Sequence, residues 1–149
     1  MRSIKPREEH IRSCGGSQVR DSRDYFPYTA PACRNELEFN DYLLTGLMYH
    51  TPPALRTAFS RRLRTGHRVV FTHADLAPRN IIVRDGKIVG LLDWEDAGWY
   101  PEYWEYVKFF HRVGSGSLWD WLRYADDIFS ATDENELVHY IALPTWQDP

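Results

Sequence analysis

Between Val69 and Asp93 the chain alternates short β-branched runs with polar turns, and this stretch restricts the fold more than any other. Val69-Val70-Phe71 reads as a buried strand that leads directly into the polar loop Thr72-His73-Ala74-Asp75. Ile81-Ile82-Val83 and Ile88-Val89-Gly90-Leu91-Leu92 flank Asp85-Gly86. An Asp-Gly pair between two apolar runs signals a hairpin, because both central residues of a type I′ turn need positive φ. The stretch therefore predicts a strand, a polar loop and an antiparallel pair in succession. Asn80 opens that pair and Asp93 closes it, so both are expected at the same end of the paired strands.

Helices are expected on either side. Asn35 followed by Glu38 has the form of an N-cap with its third-position acid, and Leu37, Tyr42, Leu43 and Leu44 then supply an apolar stripe ending near Gly46. Pro53 suits the first turn of a second helix, in which Leu55, Ala58, Phe59 and Leu63 recur at helical spacing and Gly66 marks the stop. After Glu102, the residues Tyr103, Tyr106, Val107 and Phe110 fall on one helical face; Leu118 to Phe129 reads as another helix and Glu136 to Leu143 as a third. Residues 1–34 contain Gly15-Gly16, prolines and scattered charges with neither period, so a loosely ordered lead-in is expected there, followed by one domain over 35–149. The fold class is α+β, mainly helical with a small β-hairpin.

The charge balance is 18 basic against 21 acidic residues, a net of −3, so no global positive field exists to draw in nucleic acid. No apolar run approaches the ~18 residues that span a bilayer, and the expectation is a soluble cytoplasmic protein without a membrane partner. Cys14 and Cys33 lack the close spacing of a zinc site and are expected as free thiols. His50 and His67 have no partner at metal spacing, so solvated surface is expected for both.

Asp75 and Asn80 stand on one loop with four residues between them, and Asp93 ends the hairpin's return strand. Three oxygen-bearing side chains thus converge. Magnesium takes oxygen ligands, few of them from protein, so Asn80 and Asp93 beside a bound triphosphate form a chemically sensible pair. Asp75 is then available to orient and deprotonate an attacking hydroxyl, while His73 braces the loop. Taken singly, each of these residues is also an ordinary loop-capping group.

The spacing is that of the kinase catalytic loop, H-x-D-x-x-x-x-N, with a further Asp on the next hairpin. The string Thr72-His73-Ala74-Asp75-Leu76-Ala77-Pro78-Arg79-Asn80-Ile81-Ile82-Val83, continued by Leu91-Leu92-Asp93-Trp94-Glu95, resembles the aminoglycoside phosphotransferase and choline kinase-like family. Trp99-Tyr100-Pro101-Glu102-Tyr103-Trp104-Glu105-Tyr106 resembles the stretch that follows in its fungal members, and the resemblance runs from about Glu36 to Phe110, and more weakly upstream to Gly15. It implies the helical C-terminal lobe of a kinase-like fold and ATP-dependent phosphoryl transfer to a small-molecule hydroxyl acceptor. It further implies Asp75 as catalytic base, Asn80 and Asp93 as ligands of the magnesium that accompanies ATP, and His73 as brace. Ala74 departs from the glycine usual in bacterial relatives, at little cost if φ there stays negative. Ala77 stands where many carry His.

The family also carries a nucleotide lobe with a glycine-rich loop and a strand lysine. Only 72 residues precede His73, and the three lysines, Lys5, Lys87 and Lys108, sit in none of the required places. The nucleotide lobe is therefore expected to be absent. Two readings follow: a truncated phosphotransferase, or a non-catalytic remnant or interaction module that retains the loop. Loss of a packed lobe would leave apolar surface beside Leu91 and around Tyr25 to Pro31, with self-association as the consequence. The aromatic cluster Trp94, Trp99, Tyr100, Tyr103 and Trp104 reads either as core or as a cage for a cation. Glu95 and Glu105 either face a substrate amine or pair with arginines.

Overall fold

The computed structural model describes residues 1–4, 6, 10–16, 18–22, 27–111, 119–130 and 132–147. Its strands are β1 (Arg12–Ser13), β2 (Gln18–Ser22), β3 (Pro27–Pro31), β4 (Val69–Thr72), β5 (Ile81–Arg84), β6 (Lys87–Leu91) and β7 (Gly98–Pro101). The helices are α1 (Glu36–Thr45), α2 (Pro53–Arg62), α3 (Trp104–His111), α4 (Trp119–Leu122), α5 (Ala125–Ile128) and α6 (Glu134–Ala142). Among the described residues the strands form three antiparallel sheets, in the orders β1-β7-β4, β2-β3 and β5-β6. The chain is thus α+β, and among the described residues no helix is long and apolar enough to cross a membrane.

Local rules account for several elements. The Asn35 side chain accepts the Glu38 N–H at 3.0 Å and Gly46 caps the other end of α1, as its sequence predicts. Asp85 and Gly86 adopt φ of 52° and 70°, the type I′ requirement, and β5 and β6 pair on either side of them. Cys14 and Cys33 are free thiols, one exposed and one buried.

The apolar stripe of α1 differs from expectation. Phe39 and Leu43 enter the core while Leu37 is exposed, because the face turned to the sheet also carries the buried Glu36 and Asn40. On α2 only Phe59 is buried. The segment expected as one helix up to Phe129 is two single turns, α4 and α5, broken at Arg123-Tyr124; Leu118 lies outside the described residues.

The core gathers around Trp104, which stacks on Tyr100 at 5.9 Å and meets Phe39 and Tyr140 edge-on at 5.0 Å each. Tyr100, Tyr103 and Trp104 are all buried, so this part of the aromatic cluster is core and no cage. Their rings supply the large apolar area that a small sheet and short helices need.

Residues 11–16, 18–22 and 27–31 depart from the expected loose lead-in. Ile11 and Val19 are fully buried, β1 extends the β7-β4 sheet, and β2-β3 forms a hairpin of its own. Two-residue β1 carries no readable period; its place is fixed by Gly98, where an added Cβ would lie 2.2 Å from the Arg12 carbonyl oxygen and 2.7 Å from Ser13 Cα. Gly98→Ala is expected to force β1 off β7 and cost about 1–3 kcal/mol, as overpacking does. Denaturant unfolding measures it, and an unchanged midpoint would contradict this account of β1.

Asp21 on β2 is buried against Lys108 of α3, whose Nζ lies 2.7 Å from Asp21 Oδ1 and 2.7 Å from the Ser22 carbonyl oxygen. The Tyr140 hydroxyl of α6 donates to the same carboxylate at 2.7 Å. One carboxylate therefore ties the N-terminal hairpin to two helices. His67, expected on solvated surface, instead places Nδ1 2.6 Å from Glu36 Oε1 and packs edge-on to Tyr103, while Glu36 also accepts the Gly66 and His67 N–H groups. His50 is exposed, edge-on to Tyr49.

Candidate active site

β4 delivers the chain from the sheet into the loop 73–80, and a one-turn 3-10 helix at Pro78–Asn80 then feeds β5. Pro78 suits that first turn because its missing N–H has no partner to lose there. His73 is buried; its Nε2 donates to the Leu92 carbonyl at 2.9 Å and its Nδ1 accepts the Asp75 N–H at 3.3 Å. The Asn80 carbonyl accepts the Leu92 N–H at 2.8 Å. Leu92 is thereby held on both backbone sides, and the next residue is Asp93. The loop and the exit of β6 meet at one junction, with Asp75, Asn80 and Asp93 around it.

Asp75 and Asn80 are buried and in direct contact. Asn80 Nδ2 donates to the Asp75 carboxylate at 2.8 Å and to the Asp75 carbonyl at 2.9 Å. With the amide nitrogen committed to Asp75, the orientation assigned to Asn80 turns Oδ1 away from it, the oxygen that a hard cation requires. Asp93 is exposed. Among the described residues no group of three His, Cys, Asp or Glu side chains is placed to hold a metal. An amide oxygen and one carboxylate fit magnesium, which keeps waters and substrate phosphates as its other ligands.

Two residues take roles at this site that the sequence reading did not give them. Arg79 donates to both carboxylate oxygens of Asp75, at 2.8 and 2.7 Å, four residues along the loop, and so fixes the carboxylate plane. Glu105 of α3 is buried, and its two oxygens accept the His73 N–H at 2.6 Å and the Ala74 N–H at 3.0 Å. This corrects the expectation that Glu105 faces a substrate amine or an arginine; Glu95 does pair with Arg20, at 2.9 Å. Glu105 stands 30 residues beyond Asp75, so no local pattern links the two.

Ala74 has φ of 64° and Asp93 φ of 60°, both in the left-handed region. The condition under which alanine would cost little at position 74 is therefore not met: its methyl sits in a strained backbone that the Glu105 bond helps to hold. Such strain costs of order 1–2 kcal/mol per residue and collects at functional sites. Trp94, next to Asp93, is half-exposed; its ring packs on His73 at 4.6 Å and on Phe71 at 6.1 Å, and its Nε1 donates to the Leu91 carbonyl.

Burial raises the Glu105 pKa, outweighing the backbone hydrogen bonds from His73 and Ala74 that favour its ionised form. The folded state thus binds a proton here more tightly than the unfolded chain. This contribution to stability is full below the ordinary glutamate range near ~4.3 and is lost as pH rises through the raised folded value. Glu105→Gln should flatten that pH dependence. It also replaces one acceptor oxygen by an NH2 facing a backbone N–H, at about 1–3 kcal/mol for the unpaired donor. Thermal melts between pH 4 and pH 8 test both effects, and a variant as stable as the parent at pH 7 would contradict the clamp.

The APH family model, described as the phosphotransferase enzyme family, matches residues 22–138, which include every element named at this site. The chain belongs to the phosphotransferase enzyme family. No curated protein and no solved structure matches it. The matched span begins at Ser22 on β2 and ends at Val138 on α6, so it also takes in Lys108 and the helix carrying Glu105.

Proposed function

We propose that this chain carries the base-and-metal half of an ATP-dependent phosphotransferase acting on a small-molecule hydroxyl, in the manner of a kinase-like C-terminal lobe. The supporting observation is the contact of Asp75 with Asn80 at the junction where β6 hands over to Asp93. Asp75 takes the proton of the acceptor hydroxyl, and Arg79 and Asn80 hold its carboxylate in place. Asn80 Oδ1 and Asp93 are the groups that would hold magnesium, which supplies charge neutralisation at the phosphates when bound. Glu105 and His73 position the loop and touch no reacting atom.

A second reading, a non-catalytic module that keeps the loop, draws on the lysines. Lys108 is sealed in the core by Asp21, and Lys87 is exposed beside the hairpin turn, so neither meets a nucleotide phosphate at this site. The two readings separate in one assay: transfer of phosphate from ATP with magnesium to a panel of hydroxyl acceptors. The chain is assayed alone and joined to the nucleotide lobe of a family member. Negligible transfer alone and clear transfer when joined is the expected result. No transfer in either form supports the module instead.

A further inference from the structure

We infer that Asp96, gripped by strand β2, is a positioning residue that fixes where Asp93 presents its carboxylate. The inference rests on the reading of Asp93 as a magnesium ligand and names what holds that ligand in place. Three carboxylates fall within four residues, at Asp93, Glu95 and Asp96. Asp93 and Glu95 are exposed, whereas Asp96 is only 1 % exposed. A carboxylate is costly to bury unless it is paired and hydrogen-bonded. Asp96 Oδ1 accepts the Ser22 hydroxyl at 2.6 Å and lies 2.8 Å from Arg20 Nε. The same guanidinium reaches Glu95 Oε2 through Nη2 at 2.9 Å. One arginine of β2 thus takes up both acids that follow Asp93, which keeps them from competing with it for a cation.

The backbone carries this grip to Asp93. The Ala97 N–H donates to the Trp94 carbonyl at 3.1 Å and closes a turn over 94–97, while the Ala97 carbonyl accepts the Cys14 N–H at 2.7 Å. On the other side Leu92 is held through its N–H by Asn80 and through its carbonyl by His73. Asp93 is the one residue between these anchored points. Its φ of 60° is a left-handed value that a residue with a side chain keeps only where its surroundings impose it. Displacing the turn changes the φ and ψ that join the two anchors, and so re-aims the Asp93 side chain. Ser22 completes the link, because its carbonyl accepts Lys108 Nζ at 2.7 Å while its hydroxyl donates to Asp96. Strand β2 therefore ties the turn after Asp93 to α3. Groups that orient a metal's direct ligands matter to binding, and losing one typically lowers metal affinity about 10–100-fold.

Nuclear magnetic resonance on the whole labelled chain tests it, first without metal and then with manganese titrated in the presence of ATP. In Asp96→Ala the Asp93 α-carbon shift, which reports its left-handed φ, and the Trp94 indole N–H should move, while the Asn80 side-chain amide keeps its metal-free position. The manganese needed to broaden Asp93 should rise at least about tenfold. Asp96→Asn keeps Oδ1 as acceptor for Ser22 and Arg20 and should stay close to the parent in both readouts. Should Asp96→Ala not fold, Arg20→Met at a half-buried position takes its place, with the same signals expected to move. An Asp93 α-carbon shift and a manganese response that match the parent in a folded but less stable variant would overturn the inference, because Asp96 then serves folding alone. A parent chain that binds no manganese overturns the metal reading instead. The metal-free shifts then decide the positioning by themselves: moved, they support it, and unmoved, they overturn it.

Discussion

Lys108→Met is expected to cost about 3–5 kcal/mol of folding stability, a large share of the roughly 5–15 kcal/mol of a typical domain. The substitution keeps the apolar stem but leaves the Asp21 carboxylate buried with its ammonium partner removed. Asp21 and Lys108 are 87 residues apart and fully enclosed, so water cannot take over the lost role without opening the packing between β2, α3 and α6. Adding Asp21→Asn to Lys108→Met should recover part of the loss, giving a combined cost smaller than the sum by more than ~1 kcal/mol. Chemical denaturation of the three variants measures these values. Single variants within 1 kcal/mol of the parent would show that the pair does not hold the N-terminal hairpin in place.

Asp75→Ala carries the largest expected effect on chemistry. General-base groups contribute typically 10²–10⁴-fold, and in the lobe-joined phosphotransferase kcat should fall by that factor while KM for ATP with magnesium changes little. Asp75→Asn should lose as much, since an amide cannot accept the hydroxyl proton. Asp93→Ala should instead raise KM for the nucleotide, because it removes the proposed metal ligand and leaves the proposed base in place. Transfer that survives Asp75→Ala undiminished would contradict the assignment of the base. Arg79 and Asn80 each lose a hydrogen-bond partner in that variant, so its melting midpoint is measured beside its kinetics.

Features written in neighbouring residues were legible from the sequence. The Asp85-Gly86 turn, the Asn35 cap and the alignment of Asn80 with the end of β6 each depend on positions a few residues apart, where turn and cap chemistry operates. Features that depend on distant residues were not. Glu105 reaches back to two amides of the loop, Lys108 reaches Asp21, and β1 exists because Gly98 lacks a side chain that would collide with it. The same limit explains Leu37, which has the right period for the core and lies on the wrong side of α1. His67 looked solvent-bound for the same reason: its partner Glu36 lies on another element, 31 residues away.

Asn80 and Asp93 sharing one cation, with Asp75 beside it, is the central claim for the site. Manganese is a paramagnetic stand-in for magnesium, taking the same oxygen ligands. Titrated into the isotopically labelled chain in the presence of ATP, it should broaden the Asn80 side-chain amide and the Asp93 backbone amide first and together, with Asp75 following. Asp93→Ala should abolish the broadening at Asn80. Broadening centred on other residues, or at Asp93 while Asn80 stays sharp, would contradict the shared site.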